Sequence, residues 1–241
     1  FENRVAGIEI TNRSIGVREE VFGFHTQSNH FLSDTLKNSN LEINATITED
    51  SEARLFRSQE LIEKNSPVFT SQDAVNILSD KWDPVHQEVR GLVNVIAVNT
   101  TLSSAVFDFS QSKLFVANGL GPVSLNTYVE LPLLDSFSFP AITNTQYETL
   151  KNDRFKSEFP HLFQAEQKYI EAKHFYEMEN NPRKAVEKLR ESMELDSQNP
   201  AYFFMAGILS LKAGMNKEAV PYLEETTQKN YLHYQLVGRY Y

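Results

Sequence analysis

At 241 residues, 41% of them hydrophobic and 23% charged, the chain is long enough for one large domain or two modest ones and has the composition of a globular protein. Its net charge of -9 excludes non-specific nucleic-acid binding, which needs a basic face to neutralise phosphates. The lack of cysteine removes disulfides, thiolate zinc sites and a cysteine nucleophile from this chain, and apolar runs such as Gly91–Val98 are too short to span a bilayer.

The absence of cysteine slightly favours a cytoplasmic protein while leaving a periplasmic or secreted one open, so composition does not fix the compartment. The chain opens on Phe1 rather than Met and shows no signal peptide; it is expected to be a processed or truncated piece of something longer.

The first strands are expected at Val5–Ile10 and from Ile15–Val17 through Val21–Phe24, paired around the turn Asn12-Arg13-Ser14. Two helical stretches follow. Ser51–Lys64 carries Ala53, Leu55, Phe56, Leu61 and Ile62; Ser71–Trp82 carries Ala74, Val75, Ile77 and Leu78, with Ser71 as its candidate N-cap. A second group of strands is expected over Leu92–Thr100, Ser104–Phe109, Lys113–Ala117 and Val123–Val129. Within it the turn Ser110-Gln111-Ser112 reads as a hairpin and Asn118-Gly119 as a strand end. Strands, then helices, then strands make this half α+β.

From Phe163 onward the pattern becomes helical and repeats. Tyr169 and Phe203, Ala172 and Ala206, Ala185 and Ala219, and Leu189 and Leu223 all recur at a spacing of 34, with Gly207 beside the second repeat's small residues. Small residues at helix crossings with that period are the signature of tetratricopeptide (TPR) repeats. Asn180-Asn181-Pro182 and Gly214-Met215-Asn216 supply the turns; Lys173 and Ser197 depart from the usual pattern. Helices at 152–163 and 231–241 are candidates to close the ends of a two-repeat stack. The division expected is therefore residues 1–140 as an α+β domain, 141–162 as linker and leading helix, and 163–241 as two repeats plus a capping helix.

Three segments of the first half resemble the acyl-coenzyme A:isopenicillin N acyltransferases and their relatives, the penicillin V and bile-salt hydrolases. These are Gly7-Ile8-Glu9-Ile10 followed by Gln27-Ser28-Asn29-His30-Phe31-Leu32; Ser51-Glu52-Ala53-Arg54-Leu55-Phe56-Arg57; and the strand pair within Ile96–Gly119. The resemblance implies a partial αββα N-terminal-nucleophile-hydrolase fold ahead of an all-α TPR tail. It implies that Asn29 donates its amide to an oxyanion and that Arg54 supports the nucleophile and its α-amino group. Both residues also have plainer readings, a strand-end Asn as a turn residue and a helical Arg as a solvated or carboxylate-paired cation. His30 is read as a packing or hydrogen-bonding residue. With His25 it lacks a third ligand for zinc, so no metal and no other cofactor is expected.

Family members open their catalytic chain with Cys upstream of the asparagine. A nucleophile on a separate segment or subunit is therefore expected, with a small acyl-amide as substrate and this chain inactive alone. The competing expectation is a non-catalytic scaffold binding a peptide or protein through the repeats; a weaker one is a substrate-binding accessory domain. The mixture of Arg183, Lys184, Lys188 and Arg190 with Glu187, Glu191 and Glu194 reads as a solvated helix face.

Overall fold

A computed structural model describes residues 5–19, 23–40, 45–65, 68–132 and 147–229. The expected strand residues Val21 and Phe22, the domain boundary expected after residue 140 and the proposed helix at 231–241 lie outside them. The order of elements is strand β1 (Ala6–Ile10), β2 (Ile15–Glu19), helix α1 (Ala45–Asn65), α2 (Ser71–Leu78), β3 (Trp82–Asp83), β4 (Glu88–Val89), β5 (Ala105–Asp108), β6 (Lys113–Ala117), β7 (Tyr128–Pro132), β8 (Thr149–Leu150), and helices α3 (Arg154–Glu158), α4 (Pro160–Glu177), α5 (Pro182–Leu195), α6 (Pro200–Lys212) and α7 (Asn216–Gln228). A mixed α+β region of small antiparallel sheets thus precedes an all-helical part in which α4 to α7 pack together. No helix among the described residues is long and apolar enough to cross a membrane.

The first hairpin forms as expected. β1 and β2 pair from Ala6 opposite Glu19 to Ile10 opposite Ile15, and the Thr11 hydroxyl accepts from the Arg13 and Ser14 N–H groups to fix the turn. In the larger sheet, β5, β6, β7 and β8 lie side by side. α2 covers one face of it, burying Val75 against Val106, Phe115, Tyr128 and Leu150. The buried Tyr128 hydroxyl is satisfied by Ser104 Oγ at 2.6 Å, as a phenol in a dry core requires.

Four expectations need correction. The N-cap of α2 is Thr70, whose hydroxyl accepts from Asp73 N while Asp73 returns a bond to Thr70 N. This capping box leaves Ser71 inside the helix, where it donates to Asp108 on β5 at 2.7 Å. α2 also ends at Leu78, short of Trp82. Leu92–Thr100 is not a strand: Val93 and Asn94 sit at φ 71° and 58°, outside the region a strand can use. The run is apolar because Leu92, Val95 and Ala97 are buried in the junction between the two regions. Finally, Val123–Leu125 forms a 3-10 turn, and the strand expected there begins only at Tyr128.

The single helix expected over 152–163 is divided: α3 ends at Glu158, and Phe159-Pro160 breaks it from α4. Proline at the first helical position suits α4, α5 and α6 alike, since the N–H it lacks has no partner there. Asn181 and Asn199 cap α5 and α6 by accepting from Lys184 N and Ala201 N, both at 3.1 Å. The small residues picked out by their spacing are at the helix contacts: Ala172, Ala185, Ala206 and Ala219 are almost fully buried, with Leu189 and Leu223 beside them.

One ion pair joins the two regions. Lys81 Nζ donates to both carboxylate oxygens of Glu166 on α4, at 2.8 and 2.9 Å, and to Gly91 O at 2.7 Å. The side chains are 2% and 0% exposed. Burial drives the Lys81 pKa down and that of Glu166 up, while each partner's charge opposes the shift. The chain can approach α4 this closely because position 91 is glycine; a Cβ there would meet Leu162 O and Tyr202 Oη at 3.3 Å.

Removing one partner strands a charge in the core, so Lys81→Ala or Glu166→Ala is expected to cost about 3–5 kcal/mol, read as a lowered urea midpoint at unchanged slope. Replacing both by apolar residues of similar volume should recover most of that loss. Lys168→Ala, which removes a half-exposed cation paired with Glu171 and Glu191, should cost no more than about 1 kcal/mol.

Candidate functional site

Asn29 lies in the stretch between β2 and α1, and Arg54 in the middle of α1. The fold brings them together: Arg54 Nη1 donates to Asn29 Oδ1 at 2.8 Å across 25 positions of sequence. Their backbones are fixed from below by Ser51, a fully buried residue about one helical turn before Arg54. Its Oγ accepts from Asn29 N at 2.9 Å, lies 2.7 Å from His30 Nδ1, and donates to Ser28 Oγ at 3.0 Å. His30 therefore has the hydrogen-bonding role expected of it.

The stretch carrying Asn29 is itself held by Glu9, from the middle of β1. Glu9 Oε1 accepts from Leu32 N and Oε2 from Ser33 N, both at 2.9 Å, with Gln27 Nε2 at 3.5 Å. Burial pushes this carboxyl's pKa up, but the Ser33 side chain, the Leu32 and Ser33 N–H groups and the Gln27 amide outweigh it and hold it at about 2. The hairpin and the stretch pack closely, with His25 seated over Gly7; a Cβ at Gly7 would fall 2.0 Å from the imidazole.

Beyond Arg54 the polar chain continues inward through residues that sequence reading did not single out. Arg54 Nε donates to Asp50 Oδ2 at 3.0 Å, and Asp50 Oδ1 accepts from Asn94 N at 2.7 Å. Asn94 Nδ2 reaches Glu49 at 3.2 Å and the buried Asp83 at 3.3 Å, and Asp83 in turn meets Arg90 Nη1 at 2.8 Å and His86 Nδ1 at 2.9 Å. Arg54 sits against Asp50 and Arg90 against Asp83, so the buried ions along this chain have counter-ions. The positive φ at Val93 is the signature of strain, since a β-branched residue avoids that conformation, and the Asn94 bonds help hold it there. No sequence motif marks Asp50 or Asn94 for this role; the helix expected to begin at Ser51 in fact begins at Ala45, which is what puts Asp50 and Arg54 at i, i+4 on one face.

Asn29, Asp50 and Arg54 form the polar side of a cleft of ≈ 430 Å³. Such a volume lies within the range of about 300–1,000 Å³ that holds small ligands. The rest of the lining is largely apolar, with Ile47 of α1, Leu92, Val93 and Val98 of the junction, Tyr169 of α4 and Ala201 of α6, alongside the polar Asn99 and Thr100. Asn29 uses Oδ1 for Arg54, which leaves its Nδ2 hydrogens without a protein partner among the described residues; Arg54 Nη2 is likewise unengaged among them. The site thus presents a neutral donor and a cation side by side at the edge of an apolar wall. Among the described residues no group of three or more His, Asp or Glu side chains is placed to hold a metal.

Residues 2–119 match the sequence model of the acyl-coenzyme A:6-aminopenicillanic acid acyl-transferase family. The match contains Asn29, Arg54 and the whole polar chain between Glu9 and Asn94, and it ends before the helical part. No curated protein and no solved structure matches the chain.

Because the folded pKa of Glu9 lies below its ordinary value of 4.5, the carboxylate contributes stability above about pH 4.5 that disappears as pH falls through about 2. Wild type and Glu9→Gln should therefore differ by about 3 kcal/mol at pH 7, by urea denaturation, with the gap narrowing between pH 4.5 and 2. A gap that stays constant over that range would assign the effect to packing alone.

Proposed function

We propose that this chain carries the oxyanion-binding and electrostatic part of a linear-amide hydrolase or acyltransferase of the N-terminal-nucleophile type. The observation that carries the reading is the 2.8 Å contact between Asn29 and Arg54 at the polar side of the cleft, within the region that matches the acyltransferase family. In this reading the α-amino group of the nucleophilic residue takes that residue's proton as its side chain bonds to the amide carbonyl carbon. The charge that develops on the carbonyl oxygen is met by Asn29 Nδ2. The C–N bond then breaks, the amine leaves with the proton, and water or a second amine takes the acyl group. Arg54 lowers the pKa of the nucleophile and of its α-amino group, so that attack proceeds near neutral pH. Asp50 acts as a positioning residue that fixes the guanidinium.

The nucleophile is assigned to a segment or subunit other than residues 1–241. An exposed apolar face supports such a partner. Ile8, Ile10, Ile15 and Val17 are each more than 60% exposed on one side of the β1–β2 hairpin, whose other side is occupied by the Asn29 stretch. A strand face of that kind is stable in water only when covered. Residues 1–140 are accordingly read as part of an αββα domain.

A second reading is favoured by the helical part. α5 and α7 begin at Pro182 and Asn216, which are 34 positions apart, and the buried alanines keep the same spacing. That supports two TPR repeats over 163–241 and a protein-binding scaffold built on them.

An acyl-amide hydrolysis assay on the complete gene product separates the two. Asn29→Ala is expected to lower kcat by about 10²–10³-fold, as for loss of one oxyanion donor. Arg54→Ala should lower kcat/KM and move the acidic limb of its pH profile upward, because removal of a cation raises the pKa of the attacking group. Full activity in both variants would remove the catalytic reading and leave the scaffold.

A further inference from the structure

The cleft beside Asn29 and Arg54 is bounded by two parts of the chain that the family match treats differently. Its polar side comes from within residues 2–119, but Tyr169 and Ala201 belong to α4 and α6, beyond the match. We propose that α4 and α6 form the acyl-binding wall of the site, and that Tyr169 and Ala201 set the length of the unbranched apolar acyl group it accepts. The proposal rests on the amidase reading for the identity of the reacting group, though not for the binding itself.

Four observations support it. The first is composition: besides Asn29, Asp50 and Arg54, and the polar Asn99 and Thr100, the cleft is lined by Leu92, Val93, Val98, Tyr169 and Ala201, so an amphipathic ligand finds donors for its amide and apolar surface for its chain in one place. The second is rigidity of the wall. Ala201 is the residue after Pro200 at the start of α6, where Asn199 caps the helix and reaches Leu92 O at 3.4 Å, tying α6 to the junction. The Tyr169 ring leans on Tyr202 at 5.7 Å between centroids, and burial pushes its phenol pKa up to about 12, so Tyr169 is a neutral wall group throughout the physiological range. Third, the helices cannot swing away freely, because Lys81 and Glu166 lock α4 to the other side of the cleft three residues from Tyr169. Fourth, Val93 contributes to the same wall in a conformation that costs backbone energy, which is the kind of strain retained where a surface must keep one shape.

The size at position 201 is then the natural limit. Alanine leaves room that a larger residue at the helix start would take, whereas the Tyr169 ring closes the cleft along α4. Specificity for acyl length would be carried by the helical part and chemistry by the α+β part.

A binding series on the complete gene product, with its nucleophile replaced by alanine so that no turnover occurs, tests this. N-acylglycines from butanoyl to dodecanoyl are titrated by calorimetry; their carboxylate suits the free Nη2 of Arg54 and their amide suits Asn29. Affinity is expected to rise about fourfold per added methylene until the cleft is full, then to level off. Ala201→Leu should bring the plateau to a chain shorter by about three carbons, the number of heavy atoms it adds, and Tyr169→Ala should move it to longer chains. Far-UV circular dichroism checks that both variants fold. A dodecanoyl probe with a terminal diazirine gives the same information without mutation: its cross-links, mapped by mass spectrometry, are expected on α4 or α6. Failure of every N-acylglycine to bind, unmoved plateaus in folded variants, or cross-links confined to residues 5–132 would each overturn the proposal. Binding with shifted plateaus, together with no hydrolysis by the complete gene product, would instead discard the amidase reading and keep the acyl wall.

Discussion

The two halves of this molecule are joined through the buried contact of Lys81 with Glu166, and the shape of the cleft depends on it. A lysine and a glutamate taken out of water cost several kcal/mol each, and only close geometry with further hydrogen bonds recovers that. Here the ammonium has both carboxylate oxygens and Gly91 O within 2.9 Å, and the Phe155 ring lies 5.4 Å from it. Satisfying the pair requires residues 79–97 to run between the sheet region and α4. From that follow the glycine at 91, the insertion of Leu92 into the core of the helices, and the burial of Ala97 with Leu125, Phe155 and Leu162. The cleft is the space left where this segment turns at Val93 and Asn94.

The turn is held electrostatically rather than by a sheet. Asn94 gives its backbone N–H to Asp50 and its amide N–H groups to Glu49 and Asp83, so this segment without a ladder has Asn94's donors met. The same Asp50 holds Arg54, and Arg54 holds Asn29. Position at the rim is therefore determined by groups deep in the junction. On the proposed reading Asn29 is an oxyanion donor, which works only if it does not have to reorganise during reaction, and this chain of paired charges, with Ser51 and Glu9 fixing the backbone beneath, supplies that stiffness. Glu9, depressed to about 2, stays ionised over the whole range in which an amidase would operate.

The family match stops at residue 119, so on sequence grounds alone the helical part is an appendage. The cleft argues against that separation, because α4 and α6 line it directly. On the proposed reading the two halves share the work of one site, with the reacting groups on the α+β side and the selection of the acyl chain on the helical side. A scaffold built on α5 and α7 is compatible with the same arrangement, since neither of those helices contributes to the cleft lining.

How much of this was legible beforehand differs by element, for physical reasons. The hairpin of β1 and β2, strand β6, and helices α1 and α2 were readable because their apolar periodicity and turn residues are local. The buried alanines of the helical part were readable because helix crossings demand small side chains at a fixed spacing. Leu92–Thr100 misled because periodicity reports burial, and a segment buried between two regions is as apolar as a strand. The sequence by itself determined the mixed α+β class of the region and singled out Asn29 and Arg54, the residues to which the proposed reading gives the chemistry. Their meeting, the role of Asp50 and Asn94, the pairing of Lys81 with Glu166 and the wall made by Tyr169 and Ala201 were decided only in the tertiary structure. Each is a contact made across distant parts of the chain or held by one, and long-range contacts are selected by packing and charge compensation in the finished fold, which no local pattern encodes.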